Sequence, residues 1–199
     1  MRILCVSDAV VPMLYHDFDR RHLGVVDAVI SCGDLPPEYL TFLREELEVP
    51  LFYIKGNHDI RYAASPPKGC INIHRRIVRI EGLRILGLEG SRWYNGGPFQ
   101  YTEAQMRWMI WKLKPDIWWK KGIDIVVTHA PPRYVHDKED LCHRGFKSFR
   151  HIIHRHHPPY FLHGHIHQSF TDDRERMSTE NTTIIINCFG HFFLDTNEK

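Results

Sequence analysis

The sequence predicts a layered α/β fold, and three observations carry that expectation. Short apolar runs recur along the chain, each with the Val/Ile/Leu content of a strand buried on both faces. Stretches with apolar residues at helical spacing lie between them. Five of the runs are followed at once by Asp, Asn or His. Sites in layered α/β proteins lie beyond the carboxyl ends of the strands. One polar strand end is unremarkable; five in one chain make a site.

The elements follow in chain order. Residues 3–6 form the first run, ending at Ser7 and Asp8, and residues 25–31 the second, ending at Cys32, Gly33 and Asp34. Residues 37–48 follow two prolines that suit a helix start, with Leu40, Leu43 and Leu47 at helical spacing. Residues 51–54 run into Lys55, Gly56, Asn57, His58 and Asp59. Residues 77–80 and 83–88, joined by Glu81 and Gly82, read as a β-hairpin. Thr102 and Glu103 open a second helix carrying Met106, Met109, Ile110 and Leu113, which Pro115 ends or interrupts. Its tryptophans, Trp108, Trp111, Trp118 and Trp119, are expected to pack rather than to offer a stacking platform for bases. Residues 123–127 end at Thr128 and His129. A third helix over 146–156 turns Phe149, Ile152 and Ile153 inward and a basic face with Lys147, Arg150 and Arg155 outward. Residues 160–162 lead into His163, Gly164, His165, Ile166 and His167, and residues 183–187 and 191–194 read as a closing hairpin.

Composition narrows the function classes. The 199 residues suit one domain spanning 1–199, with room for a sizeable core. A formal net charge of +2 is too small to indicate nucleic acid or membrane as a partner. Histidine is in excess, with 15 in the chain and ten of them between His129 and His167. The five cysteines form no Cys-x-x-Cys pair, and Cys5, Cys32 and Cys188 lie in apolar runs. Buried free thiols are therefore expected, which suits a reducing cytoplasm. No secretory signal and no run of membrane-spanning length is visible, so a cytoplasmic location is expected.

The strand-end residues define a chemistry. If the chain stays extended after Leu162, His165 and His167 share a face, with attachment points roughly 6–7 Å apart. They join Asp8, Asp34, Asn57, His58 and His129. Hard oxygen donors mixed with imidazoles suit manganese, iron or zinc better than calcium. An aspartate can bridge two cations, and two cations sharing a water supply hydroxide near neutral pH and clamp a phosphoryl group. That is phosphoester hydrolysis.

In these residues the chain resembles the calcineurin-like metallophosphoesterases. The resemblance rests on Asp8, on Gly33 and Asp34, on Gly56 to Asp59, on Thr128 and His129, and on Gly164 to His167, in the family's order. It implies a two-sheet mixed β-sandwich flanked by helices, with the site at one edge. It also implies a phosphodiesterase or phosphatase holding two divalent ions, manganese first, with iron and zinc as alternatives. One ion would be held by Asp8 and His167, the other by Asn57, His129 and His165, with Asp34 between them. His58 would protonate the leaving oxygen or touch the phosphate, and Asp59 would orient it. The family usually has histidine two residues after the first aspartate; here Val10 stands there, which weakens the first ion's position unless His16 or Tyr15 swings in. Arg92 and Arg133 are candidates for holding a substrate phosphate oxygen. His163 is expected behind the ligands, and His191 in a structural role. The alternative is a degenerate member of the fold serving as a binding or interaction module, a direction in which Val10 is one step.

Overall fold

Successive side chains of a strand point to opposite faces, so a run apolar at every position must be covered on both sides. The first strand shows the result. Ile3 and Cys5 face one core with Ile30, Phe52, Ile125, Leu162 and Ile186, whereas Leu4 and Val6 face another with Val29, Leu40, Leu43 and Leu51. The structure, a computed structural model, describes residues 1–196. In chain order its elements are β1 (Arg2–Ser7), α1 (Arg20–Leu23), β2 (Ala28–Ser31), α2 (Pro37–Leu47), β3 (Leu51–Tyr53), β4 (Ile71–Asn72), β5 (Arg76–Ile80), β6 (Leu83–Leu88), β7 (Ser91–Arg92), β8 (Gln100–Tyr101), α3 (Glu103–Lys112), α4 (Lys114–Trp119), β9 (Ile125–Thr128), α5 (Lys147–His156), β10 (Tyr160–His163), β11 (Met177–Glu180), β12 (Thr183–Asn187) and β13 (Gly190–Asp195).

The strands build two large mixed sheets. One has five strands in the order β13-β1-β2-β3-β4, the other six in the order β11-β12-β10-β9-β6-β5, and β7 and β8 form a separate short pair. Within the first, β1 to β4 are parallel and β13 runs against β1. Within the second, β6, β9, β10 and β12 are parallel, and β5 and β11 are antiparallel edges. The sheets pack face to face on the core that contains Ile3, Ile85 and Val127. The outer face of the five-stranded sheet is covered by α2 through Leu40, Leu43 and Leu47. The outer face of the six-stranded sheet is covered by α3, α4 and α5 through Met106, Ile110, Ile117, Phe149 and Ile153. The sandwich flanked by helices is therefore present.

Local chemistry explains most boundaries. The hairpin β5–β6 turns on Glu81 and Gly82, both at positive φ (45° and 89°), the conformation that favours a two-residue hairpin loop. Helix α3 starts on a capping box in which the Thr102 side chain accepts from the Gln105 backbone N–H and the Gln105 side chain accepts from the Thr102 backbone N–H. Pro115 does not end the helical region. It sits in the first turn of α4, where its missing N–H costs nothing.

Two expectations are corrected. Strands β12 and β13 are not a hairpin: β12 pairs with β10 and with β11, and after Asn187 the chain crosses to the other sheet to pair with β1. The turn-like spacing of the two runs is the same in either case. Nor do the tryptophans pack. Trp108, Trp111, Trp118 and Trp119 are exposed, because Met106, Met109, Ile110 and Ile117 take the inward positions of α3 and α4. All five cysteines are free thiols, with Cys5, Cys32 and Cys188 buried. No helix among the described residues is long and apolar enough to cross a membrane.

The two kinds of aromatic residue on this helical layer separate experimentally. Phe149 is fully buried against Phe146 and Phe161, so Phe149→Ala is expected to cost about 3–5 kcal/mol. Trp118→Ala, at an exposed position, is expected to change the unfolding free energy by no more than about 0.5 kcal/mol. Equilibrium denaturation of both variants checks the pair.

Candidate metal centre

Parallel strands deliver their carboxyl ends to one side, and the two sheets deliver theirs to a common seam. Asp8 follows β1, Asp34 follows β2 and Asn57 follows β3 in one sheet, while His129 follows β9 and His165 and His167 follow β10 in the other. At this seam the backbone leaves the extended region. Asp8, Asp34 and His165 have φ of 63°, 57° and 67°, conformations rare for residues with a side chain. Asp8 and His165 are each the centre of a three-residue turn, closed by Ala9 N to Ser7 O at 2.7 Å and by Ile166 N to Gly164 O at 2.8 Å. The His165 N–H donates to Asp8 Oδ2 at 2.9 Å, so the two turns are tied across the seam. Strain of this kind persists where the surroundings over-determine it, and functional sites are where it collects.

Glycines allow the close approach. A Cβ on Gly164 would lie 1.9 Å from Ser7 Oγ and 2.4 Å from Asp8 Oδ2. A Cβ on Gly56 would lie 2.1 Å from Asp34 Oδ1 and 2.7 Å from His129 Cε1. These positions must be glycine for the carboxylates and imidazoles to meet.

The imidazoles are held in defined tautomers by backbone carbonyls. His129 Nδ1 donates to Cys32 O at 2.8 Å, and His165 Nε2 donates to Cys142 O at 2.8 Å. Their other nitrogens, His129 Nε2 and His165 Nδ1, face each other at 3.1 Å, and Asp34 Oδ2 is 3.1 Å from His129 Nε2. The ligand atoms of Asp34, His129 and His165 all lie within 4.8 Å of one another. Two lone pairs and a carboxylate converging in a buried space require a positive charge among them. Asp8 Oδ1 and Asn57 Oδ1 are also buried and without hydrogen-bond partners, Asn57 having donated its amide N–H to Tyr94 Oη at 3.3 Å. His167 is exposed, lies tilted against Phe189 with ring centroids 5.0 Å apart, and places Nε2 3.4 Å from Asp8 Oδ1. Carboxylate, amide and imidazole donors in this arrangement fit divalent cations of the manganese, iron and zinc type.

Without a metal, a proton supplies the charge. Burial opposes ionisation of Asp34, but His129 beside it outweighs burial and brings the carboxyl to about 2. Burial likewise opposes a charge on His129, yet the Asp34 carboxylate raises that ring to about 9. His165 is lowered to about 4 by burial and by the His129 charge, so it stays neutral.

Several expected roles change in the structure. The premise of an extended chain after Leu162 fails: β10 ends at His163, and the left-handed turn at His165, not strand alternation, separates His165 from His167. Asp59 does not orient the His58 ring. Its carboxylate accepts from the N–H groups of Asp34 (2.8 Å), Leu35 (3.2 Å) and Gly56 (2.8 Å), pinning the loops after β2 and β3 together. Burial, then the Asp34 charge, pushes Asp59 up to about 7 despite those donors. His58 is exposed, and its backbone N–H donates to Asp34 Oδ1 at 2.8 Å. The guanidinium of Arg133 is taken by Asp137 (2.6 Å) and Glu139 (2.7 Å), and that of Arg92 lies 3.7 Å from Glu103 and donates to Gly145 O. Neither is presented free for a phosphate. Val10 and Tyr15 pack against the core beneath α2, Tyr15 edge-on to Tyr39 and Phe42, and the exposed His16 leans on Tyr15. Both ring nitrogens of His163 are taken, Nε2 by His136 at 2.8 Å and Nδ1 by Gly164 O at 2.9 Å, and His191 pairs opposite Val6. The carbonyls of Cys32 and Cys142 and the hydroxyl of Tyr94 carry no signal in the sequence. A carbonyl belongs to every residue, so no side-chain pattern marks those that fix an imidazole.

The sequence matches the profile of the Calcineurin-like phosphoesterase family over residues 1–169. Metallophosphoesterase domain-containing protein 1 of Homo sapiens and that of Mus musculus are each 26% identical to it over 209 residues. The matches cover 85% of this chain and 61% of each relative, so the chain spans less than two thirds of those proteins. The crystal structure of a Thermus thermophilus protein superposes with a TM-score of 0.64 at 17% identity, covering 95% of this chain and 89% of that one. A dimetal phosphatase from Danio rerio gives 0.59 at 12% identity, covering 95% of this chain and 87% of that one. At these identities the likeness shows the shared fold.

Two outcomes are expected of the centre. Metal must displace the proton on His129, so loading metal-free protein at pH 7 should release about one proton at that position. Affinity should rise with pH toward about 9, where His129 loses its proton unaided. Calorimetry in buffers of different ionisation enthalpy reads the count, and zero release would place His129 outside the coordination sphere. Gly164→Ala is expected to displace Asp8 and reduce bound metal by elemental analysis, because the new methyl overlaps both Ser7 and Asp8.

Proposed function

Because the chain belongs to the calcineurin-like phosphoesterase family, we propose that it hydrolyses phosphate esters using two divalent cations, manganese first. The observation that carries this is the convergence of Asp34, His129 and His165 in one buried cluster, together with Asp8 Oδ1 and Asn57 Oδ1, which are buried and left without hydrogen-bond partners. Each unsatisfied buried group costs about 1–3 kcal/mol. A scaffold kept only for binding other proteins gains nothing from such an arrangement, so a degenerate interaction module is the weaker reading.

Asp8 and His167 would hold one cation, Asn57, His129 and His165 the other, and Asp34 would lie between them. When bound there, the ions bring a water's pKa toward neutrality and neutralise charge on the phosphoryl oxygens. The chain's own residues supply the rest. His129 and His165 are locked by carbonyls, so they need no reorganisation to accept a ligand. His58 is fixed at its backbone by Asp34 while its ring stands exposed, a position suited to protonating the leaving oxygen. A groove of about 200 Å³ lined by Asp34, His58, Arg61 and Tyr62 lies beside the cluster. It is partly open to solvent, so a phosphodiester is the first substrate class to test and a phosphomonoester the second.

His58→Ala is expected to retain metal and lower turnover by about 10²–10⁴-fold. The loss should shrink for an aryl ester with an acidic leaving group, which departs without a proton; an equal loss for good and poor leaving groups would assign His58 to phosphate binding. The two positions are also expected to differ in affinity. Asp34, His129 and His165 converge, whereas the Asp8 side relies on an exposed His167 and lacks a donor at Val10. Activity of chelator-dialysed protein should rise with millimolar-scale manganese, and Val10→His should lower the concentration needed. Two equal, tight sites in a metal titration of the unaltered protein would refute the inequality.

A further inference from the structure

The helices over the six-stranded sheet carry a surface that the hydrolytic centre does not use. Trp111 and Trp118 are 60% and 81% exposed, and Trp119 is 79% exposed. Tryptophan offers the largest apolar area of any side chain, so leaving three in water on one helical layer forgoes burial that folding would favour. Trp108 differs, since Lys112 Nζ sits 3.8 Å over its ring.

Between the helices lie two adjacent hollows. One, of about 430 Å³, is lined by Lys114, Trp118, Lys121, His151, Arg155 and His156. The other, of about 410 Å³, is lined by Arg107, Trp111, Lys114, Lys147 and His151, so the two share Lys114 and His151. The one acid at the second, Glu103, is occupied: its carboxylate accepts from the N–H groups of Lys147 (3.0 Å) and Ser148 (2.7 Å). Helix α5 contributes Lys147, Arg150 and Arg155 and no acidic residue. With a net charge of only +2 over the whole chain, this concentration is local rather than a reflection of composition.

Each hollow thus pairs one indole with several cations, and the pair is repeated side by side. A ligand that repeats a flat aromatic group and a phosphate has the same pattern. We propose that the α3–α4–α5 face binds single-stranded nucleic acid, with bases stacking on Trp111 and Trp118 and phosphates lying against Lys114, Lys121 and Arg155. A duplex hides its base faces inside the stack. An anionic membrane surface would be met by protruding indoles without the paired hollows. The proposal is independent of hydrolysis at the metal centre.

The test is a fluorescence-anisotropy titration of the full chain with a labelled thymidine oligonucleotide of about a dozen residues, its integrity checked afterwards. Binding is expected to weaken with salt, with a log–log slope of about −0.7 per phosphate engaged, and a duplex of equal length should bind more weakly. Trp111→Ala and Trp118→Ala should each weaken binding roughly 5- to 150-fold, the range for loss of one stacked base. Lys114→Gln should make the salt slope shallower by about 0.7. Because both tryptophans are exposed, an unchanged denaturation midpoint is the control for folding. Absence of binding, equal affinity of the tryptophan variants and the unaltered protein, or capture by phosphatidylserine vesicles without binding of the oligonucleotide would each overturn the proposal.

Discussion

The structure depends on the electrostatic demand created where its two sheets meet. Asp8 and Asp34 approach from one sheet and His129 and His165 from the other, in a space largely closed to water. Buried carboxylates and imidazole lone pairs are tolerable only around a positive charge. The left-handed turns at Asp8 and His165, the clearance at Gly56 and Gly164, and the carbonyls of Cys32 and Cys142 all act to bring these donors together. Asp59 acts one layer further out. By accepting three backbone N–H groups it holds the loops after β2 and β3 in one piece, so its carboxylate shapes the site through the main chain.

The architecture is legible in the sequence because burial on both faces leaves a strong mark. Strands β1, β2, β3, β9 and β10 are apolar at nearly every position, and their polar ends fall on one side because the strands are parallel within each sheet. The candidate donors can be named for the same reason. Their geometry cannot. An extended chain through Gly164 and one bent at His165 have the same residues, and only the contact with Asp8 across the seam selects the bend. The roles of Asp59, Arg92 and Arg133 escape the sequence on similar grounds. Sequence gives a side chain its charge but not the competing partners that claim it: backbone N–H groups for Asp59, Glu103 for Arg92, and Asp137 and Glu139 for Arg133.

The tryptophans illustrate the opposite error. A large apolar residue on a helix is expected to be inside, and α3 and α4 have enough of them to fill an inward face twice over. Methionine and isoleucine won those positions, leaving the indoles outside among lysines. Hydrophobicity alone cannot decide between two candidate inner faces on so short a helix; contact with the neighbouring α5 decides it.

The crossing between β12 and β13 has a consequence for how the protein is made. Strand β1 lies inside its sheet, flanked by β2 and by β13, and residues 2–7 pair with residues 190–195. A ribosome therefore releases β1 long before the strand that covers one of its edges exists. Until residues 190–195 emerge, β1 can pair with β2 but keeps its other edge open, and such edges are where chains associate wrongly. Closing a loop of this span sets a slow, high-contact-order step at the end of assembly. Asp8 lies at the tip of that same strand, so the frame that holds this ligand is completed by a segment far from it in sequence.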